Sequence, residues 1–117
     1  MNGPAVLAWC HRQPGATAEM PFGPETLVFK VDGRMFAVAA AIDPGSVTLK
    51  ADPDLGELLR EQYPGITPGY HMNKRHWNTV ALDGTVPSSV ILQLLEESFR
   101  LVSRPPSGRR GARRPVG

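Results

Sequence analysis

The chain is poor in the features that usually announce a chemistry. It has one cysteine, Cys10, so no disulfide can form within it, and a reducing compartment is the expectation. No apolar run approaches the ~20 residues that span a bilayer. The N-terminus lacks both a basic run and a long apolar run, so no secretory leader is expected. No Ser sits in a nucleophile elbow, and no glycine-rich loop follows a strand with phosphate-binding spacing. His71 and His76 are five residues apart. That places them on opposite faces of a strand and off the i, i+4 pairing of helical zinc motifs. Cys10 and His11 are neighbours, which on a helix point about 100° apart and do not face each other. Glu96 and Glu97 read as solvated carboxylates on a helix surface. These gaps argue against an enzyme, and no metal or cofactor is expected.

Acidic residues are missing from the arginine-rich C-terminal end, and this changes the meaning of the net charge. The 117 residues carry 13 Lys+Arg and 11 Asp+Glu, giving +2 and a pI near 9.0. Arg109, Arg110, Arg113 and Arg114 fall in the last nine residues with no acid among them. Without those four, residues 1–104 hold nine basic residues against eleven acidic ones, a net of −2. The basic pI therefore belongs to the tail, and any phosphate binding by the core must come from a local patch.

Glycine and proline are plentiful, twelve of each, and they cut the chain into short elements. Met1 to Gly15 reads as a helix that Asn2 or Gly3 can cap, with Pro4 in its first turn. Thr17 to Phe22 alternates as a strand with Ala18, Met20 and Phe22 on one side. Leu27 to Val31 alternates more clearly, with Leu27, Phe29 and Val31 inward and Val28 and Lys30 outward. Asp32-Gly33 is a two-residue hairpin signal. Arg34 to Ile42 returns, with Phe36, Val38, Ala40 and Ile42 on one face and Met35, Ala37, Ala39 and Ala41 on the other. Asp43-Pro44-Gly45 turns into Val47 to Ala51, with Thr48 and Lys50 outward. Asp52-Pro53-Asp54 opens a helix whose apolar stripe is Leu55, Leu58 and Leu59. Trp77 to Leu82 has a strand's composition. Pro87-Ser88 introduces a last helix with Ile91, Leu94, Leu95 and Ser98 on its inner side. The expected fold is α+β, with a two-layer arrangement. An antiparallel β-sheet meander carries helices on one face. One domain spans residues 1–104, and residues 105–117, rich in Arg, Gly and Pro, are expected to be disordered.

The stretch Pro64 to Val80, PGITPGYHMNKRHWNTV, concentrates the polar chemistry. Asn73, Lys74, Arg75, His76 and Asn78 put two permanent cations, one titratable ring and two amides within six residues. Lys and Arg bind phosphates, Asn can read a base edge, and Tyr70 or Trp77 can stack on a base. Lys30 and Lys50 fall on the sheet face away from the core and extend the same surface. The bland alternative makes Tyr70 and Trp77 packing residues and the lysines solubilising charges.

Ordered blocks give a resemblance. They are PGAT after the first helix, PFGP-x-TLVFKV-x-G at residues 21–33 and VTLK-x-DP at 47–53. The run REQYPGITPGYHMNKRHWNTV at 60–80 and DG-x-VP before the last helix complete the set. Over roughly residues 5–104 the chain resembles the MmcQ/YjbR family of small bacterial proteins. The resemblance implies an antiparallel sheet with helices on one side. That fold is similar to the double-wing DNA-binding domain of a phage transcription activator and to CyaY-like or secretion-chaperone-like folds. On that analogy it implies DNA binding, with Lys50, His71, Asn73, Lys74, Arg75, His76 and Trp77 as the matching positions. The expectation is a cytoplasmic, non-enzymatic DNA-binding protein, taken as a monomer with no membrane contact. The alternative is a protein- or small-ligand-binding module using the same Tyr70–Trp77 loop.

Overall fold

The computed structural model describes residues 1–69 and 72–103. Tyr70, His71 and the segment from residue 104 onward, including the tail expected to be disordered, lie outside the described residues. The element order is α1 (Gly3–Arg12), β1 (Thr17–Glu19), β2 (Thr26–Val31), β3 (Arg34–Ala40), β4 (Ser46–Lys50), α2 (Pro53–Gln62), β5 (Ile66–Pro68), β6 (Trp77–Ala81) and α3 (Ser88–Val102). The strands form one antiparallel sheet in the order β1-β2-β3-β4-β6-β5. Among the described residues no helix is long and apolar enough to cross a membrane.

Local chemistry sets most of the boundaries. The Asn2 side chain accepts from the Ala5 amide and starts α1; Asp52 does the same for α2 through Leu55. Asp32 and Gly33 both take positive φ, at 53° and 77°, which closes the β2–β3 hairpin in the form that matches strand twist. At the β6–α3 connection, Asp83 accepts from the Thr85 hydroxyl and amide. The hydroxyl bond first, then the amide, holds its carboxyl below the usual range.

The helices cover one face. α3 lies over β3 and β4, and α2 over β5 and β6. α1 brings Val6 and Cys10 into a core with Leu27, Phe29, Phe36, Val47, Leu49, Val80, Ile91 and Leu95. Phe36 and Phe99 meet edge to face at 5.3 Å. Cys10 is fully buried, and burial pushes its thiol up to about 12.

Four expectations change. The first strand stops at Glu19, not Phe22, because Met20 to Gly23 forms a turn, with Gly23 at φ 110° and its amide on the Met20 carbonyl. Met20 and Phe22 are exposed. The strand expected through Ile42 ends at Ala40, and Ile42 is 87 % exposed. Its strict alternation also fails. Phe29 pairs with Ala37 but Lys30 pairs with Met35, so Phe36 is an extra residue, a β-bulge. The bulge lets Phe36, Ala37 and Ala39 all join the core while Val38 turns to the other face. On α2 the expected stripe is displaced: Leu55 and Leu58 are exposed, and Gly56 is the buried residue. Finally, Ile66–Pro68 is an edge strand where no element was assigned; Ile66 anchors it in the core and Pro68 blunts its end.

The bulge is closed by a side chain. The Lys50 amide donates to the Ser98 hydroxyl at 2.9 Å, and that hydroxyl donates to the Phe36 carbonyl at 2.6 Å. Ser98, fully buried on α3, thus stands between β3 and β4 where their ladder is interrupted. Replacing Ser98 with Ala leaves a buried amide and a buried carbonyl unmatched. Urea unfolding should show a loss of about 3 kcal/mol; a loss near zero would mean the bridge contributes nothing. For the thiol, a pKa of about 12 leaves roughly a thousandfold less thiolate at pH 8 than in an unperturbed cysteine. An aromatic disulfide reagent should therefore leave the native protein unlabelled and label it fully in urea. Prompt labelling of native protein would show that Cys10 is accessible.

Candidate functional site

The uncovered sheet face is organised in cross-strand rows. One row runs Glu19, Val28, Val38, Thr48, Thr79, Thr67 across the sheet. Thr48 and Thr79 share a hydroxyl hydrogen bond of 2.9 Å. Val28 is fully buried although it lies outside the helix-side core, so this face has its own small packed centre. The next row contains Thr17, Lys30 and Met35 from β1 to β3, and Lys50 and Trp77 from β4 and β6.

Strand direction decides which charges meet. β2 and β4 both run antiparallel to β3, so Lys30 and Lys50 finish at the same end of the sheet, about 10 Å apart at ordinary strand spacing. β6 starts at that end, because Trp77 pairs with Lys50. The loop carrying Asn73, Lys74, Arg75 and His76 feeds into it, and the Ala51 amide donates to the His76 carbonyl at 2.8 Å. The hairpin at Asp32-Gly33 adds Arg34 to the same end, opposite Val31. One rim of the sheet thus gathers Lys30, Arg34, Lys50, Lys74 and Arg75.

These side chains differ in availability. Lys30 forms an ion pair with Glu19 at 3.1 Å. The Lys50 ammonium stands over the Trp77 ring, 5.5 Å from its centroid. Trp77 itself is only 8 % exposed. The ring is therefore a wall behind the Lys50 charge, not an open platform for a base. A side chain on Gly69 would strike Trp77, its Cβ falling 2.7 Å from the Trp77 Cβ, so the backbone closes tightly over that residue. Asn73 spends its side-chain oxygen on the loop, accepting from the Arg75 amide at 3.0 Å, while its carbonyl accepts from His76. Lys74 and Arg75 are exposed, His76 is half-buried, and His71 lies outside the described residues. Among the described residues, Lys50, Lys74 and Arg75 make no ion pair.

Asn78 points the other way. It is 2 % exposed on the helix side, where its oxygen accepts from Arg60 at 2.7 Å and its amide donates to the Gly56 carbonyl at 3.4 Å. Gly56 permits this: a Cβ there would lie 3.2 Å from the Asn78 amide nitrogen. Arg60 and Arg75 then line a cleft of about 140 Å³ with Pro53, Asp54 and Glu57. Arg34 and Arg60 were absent from the sequence-based candidates. Hairpin pairing could have suggested Arg34. The i, i+4 spacing of Gly56 and Arg60 could have placed Arg60 on the helix's sheet-facing side. The alternative expectation, a binding module on the Tyr70–Trp77 loop, depends also on Tyr70 and His71, which lie outside the described residues; the three cavities described lie between α2 and α3, beside Arg75, and at Pro24–Ile42.

The fold and rim define a small α+β protein with a one-sided helix layer and a basic sheet end. The YjbR family model matches residues 11–101, and the chain belongs to the YjbR family. It is 36 % identical over 96 residues to the uncharacterized protein YjbR of Escherichia coli K12, covering 81 % of each chain. It is 39 % identical over 83 residues to the uncharacterized protein YbdF of Escherichia coli O157:H7, covering 70 % of this chain and 68 % of the relative. Among solved structures it is similar to a Deinococcus radiodurans protein, DR2400, with a TM-score of 0.80 and 41 % identity, covering 97 % of this chain and 85 % of that one. A Pseudomonas syringae protein matches with a TM-score of 0.73 and 29 % identity, covering 87 % of this chain and 99 % of that one.

Proposed function

We propose that the protein is a non-enzymatic DNA-binding protein of the cytoplasm that holds duplex phosphates along the basic sheet rim. The observation that carries this reading is the convergence of Lys50, Lys74 and Arg75, from the end of β4 and the loop before β6, without an ion pair among the described residues. Lys30 extends the band along the uncovered face, while Arg34, opposite the core residue Val31, lies at the same end on the helix side. Lys30 joins only by giving up Glu19, an exchange of one exposed anion for another.

Six of the core's eleven acids lie away from the rim. Glu25, Asp43 and Asp83 belong to connections at the far end of the sheet, and Glu61, Glu96 and Glu97 lie on the helices. The other five stand near the rim: Glu19 is paired with Lys30, Asp52 caps α2, Asp32 sits in the β2–β3 hairpin, and Asp54 and Glu57 line the cleft beside Arg75. The contact is one of charge and shape. Trp77 backs Lys50, and the Asn73 oxygen is engaged in its loop, so base reading is a minor part of the binding.

Salt dependence separates the rim from the arginine tail. Three phosphate contacts contribute about −2.7 to the slope of log K against log salt. The full-length protein and the Lys74→Ala/Arg75→Ala variant share the tail, so its contribution cancels. The variant should bind a duplex more weakly and with a slope shallower by about 1.8. Equal slopes, or no duplex binding by either protein at low salt, would refute the reading.

A further inference from the structure

The end of α3 decides where the remaining chain begins. The Ser98 hydroxyl meets the Lys50 amide and the Phe36 carbonyl, so the last turn of the helix stands at the rim end of the sheet. Val102 keeps that turn in the core, and Ser103 closes it by donating its amide and its hydroxyl to the Phe99 carbonyl. Ser103 lies about 7.5 Å along the helix axis from Ser98, and residues 104–117 follow from there. α1 runs the same way. A Cβ on Gly3 would strike Pro44 at the far end, while His11 meets the Phe29 ring at 4.9 Å and Gly15 lies beside Val31. Exposed Arg12 therefore joins Arg34 on the helix side of the rim end.

The four arginines near the C-terminus thus start from the end of the sheet that carries the free cations. Arg109 is six residues from Ser103 and Arg114 is eleven, spans of at most about 20 and 40 Å. A duplex carries one phosphate charge per about 1.7 Å of its axis, so a duplex on the rim offers phosphates within that reach. The acids on the same side of the domain are Glu96, Glu97 and Asp32. Glu97 is paired with Arg100, and Asp32 lies in a hairpin that also carries Arg34. Arg12 and Arg34 repel the tail at its origin, so charge favours an outside polyanion over the domain itself. The rim has use for the help: Lys50, Lys74 and Arg75 stand near five acids, whereas the last nine residues hold four arginines and no acid.

We propose that Arg109, Arg110, Arg113 and Arg114 bind the same duplex as the rim and at the same time, so that domain and tail form one two-part grip. The inference rests on the rim reading given above and adds a second contact to it. A tail tethered at Ser103 meets a rim-bound duplex at an effective concentration on the order of 1 mM, and two weak contacts then multiply. The rim sets where on the domain the duplex lies. The tail contacts phosphates alone and adds affinity without sequence information.

The test is a salt series of duplex binding on two full-length chains, the unaltered one and one with Arg109→Ser, Arg110→Ser, Arg113→Ser and Arg114→Ser together. Simultaneous contacts add their slopes of log K against log salt. The unaltered chain should show about −6.3 and the serine variant about −2.7, at about 0.9 per phosphate contact. If domain and tail bound separately, the unaltered chain would follow its steeper contact alone, about −3.6. A free peptide of residues 104–117, equimolar with the serine variant at micromolar concentration, should leave that variant's affinity unchanged, because the tether is gone. Three results would overturn the inference and leave the rim reading standing: a slope for the unaltered chain no steeper than about −3.6, restoration by the free peptide, or tighter duplex binding by the serine variant, which would place the tail on the domain's own acids. Failure of the serine variant to bind a duplex at low salt would overturn both.

Discussion

The Ser98 hydroxyl is the joint on which this architecture turns. It accepts from the Lys50 amide and donates to the Phe36 carbonyl, so one α3 side chain mends a sheet ladder that the bulge at Phe36 would otherwise leave open. The bulge is useful to the core because it sends two consecutive residues, Phe36 and Ala37, to the helix side. Its cost is a pair of buried backbone groups with no strand partner. A serine at the centre of an apolar helix face resolves that cost and fixes α3 over β3 and β4. All the helices then lie on one side, and the end of β4 is held with the Lys50 side chain on the other.

The molecule is consequently polarised in three directions. One sheet end carries Lys30, Arg34, Lys50, Lys74 and Arg75. The other carries exposed Met20, Phe22 and Ile42 with Glu25, Asp43 and Asp83. The helix layer carries leucines bordered by carboxylates. A net charge for the whole chain averages over these surfaces and conceals them. The mild acidity of residues 1–104 is spread over the helices, the far connections and the rim itself, where Glu19 pairs with Lys30.

Local signals in the sequence were enough for much of the fold. Asn2 and Asp52 capped the helices they were expected to cap, Asp32-Gly33 formed the hairpin, and β2 and β4 alternate as read, apart from the burial of Val28 on the uncovered face. The failures share a cause, which is dependence on distant residues. The bulge at Phe36 is chosen by the core and by Ser98, sixty-two positions away. The strand Ile66–Pro68 follows Pro64-Gly65, ends in a proline and exists because β6 offers it an edge. The α2 stripe misled because Leu55 and Leu58 look like core residues by spacing, whereas the helix buries Gly56 to reach Asn78. At the site, the Lys30–Glu19 pair follows from the β1–β2 register, and the burial of Trp77 follows from the close approach of Gly69. Neither register nor approach is written in the local sequence. The cation-rich loop itself was legible; which of its neighbours are free was not.

The most direct test of the account is a residue-by-residue map of amide chemical shifts as a short duplex is added to the isotope-labelled protein at low salt. The account predicts changes concentrated at Lys30 to Arg34, Lys50 and Lys74 to Trp77, with α2, α3 and the Met20–Glu25 connection unmoved. Changes centred on the helix layer or on the far sheet end, with that rim silent, would contradict it.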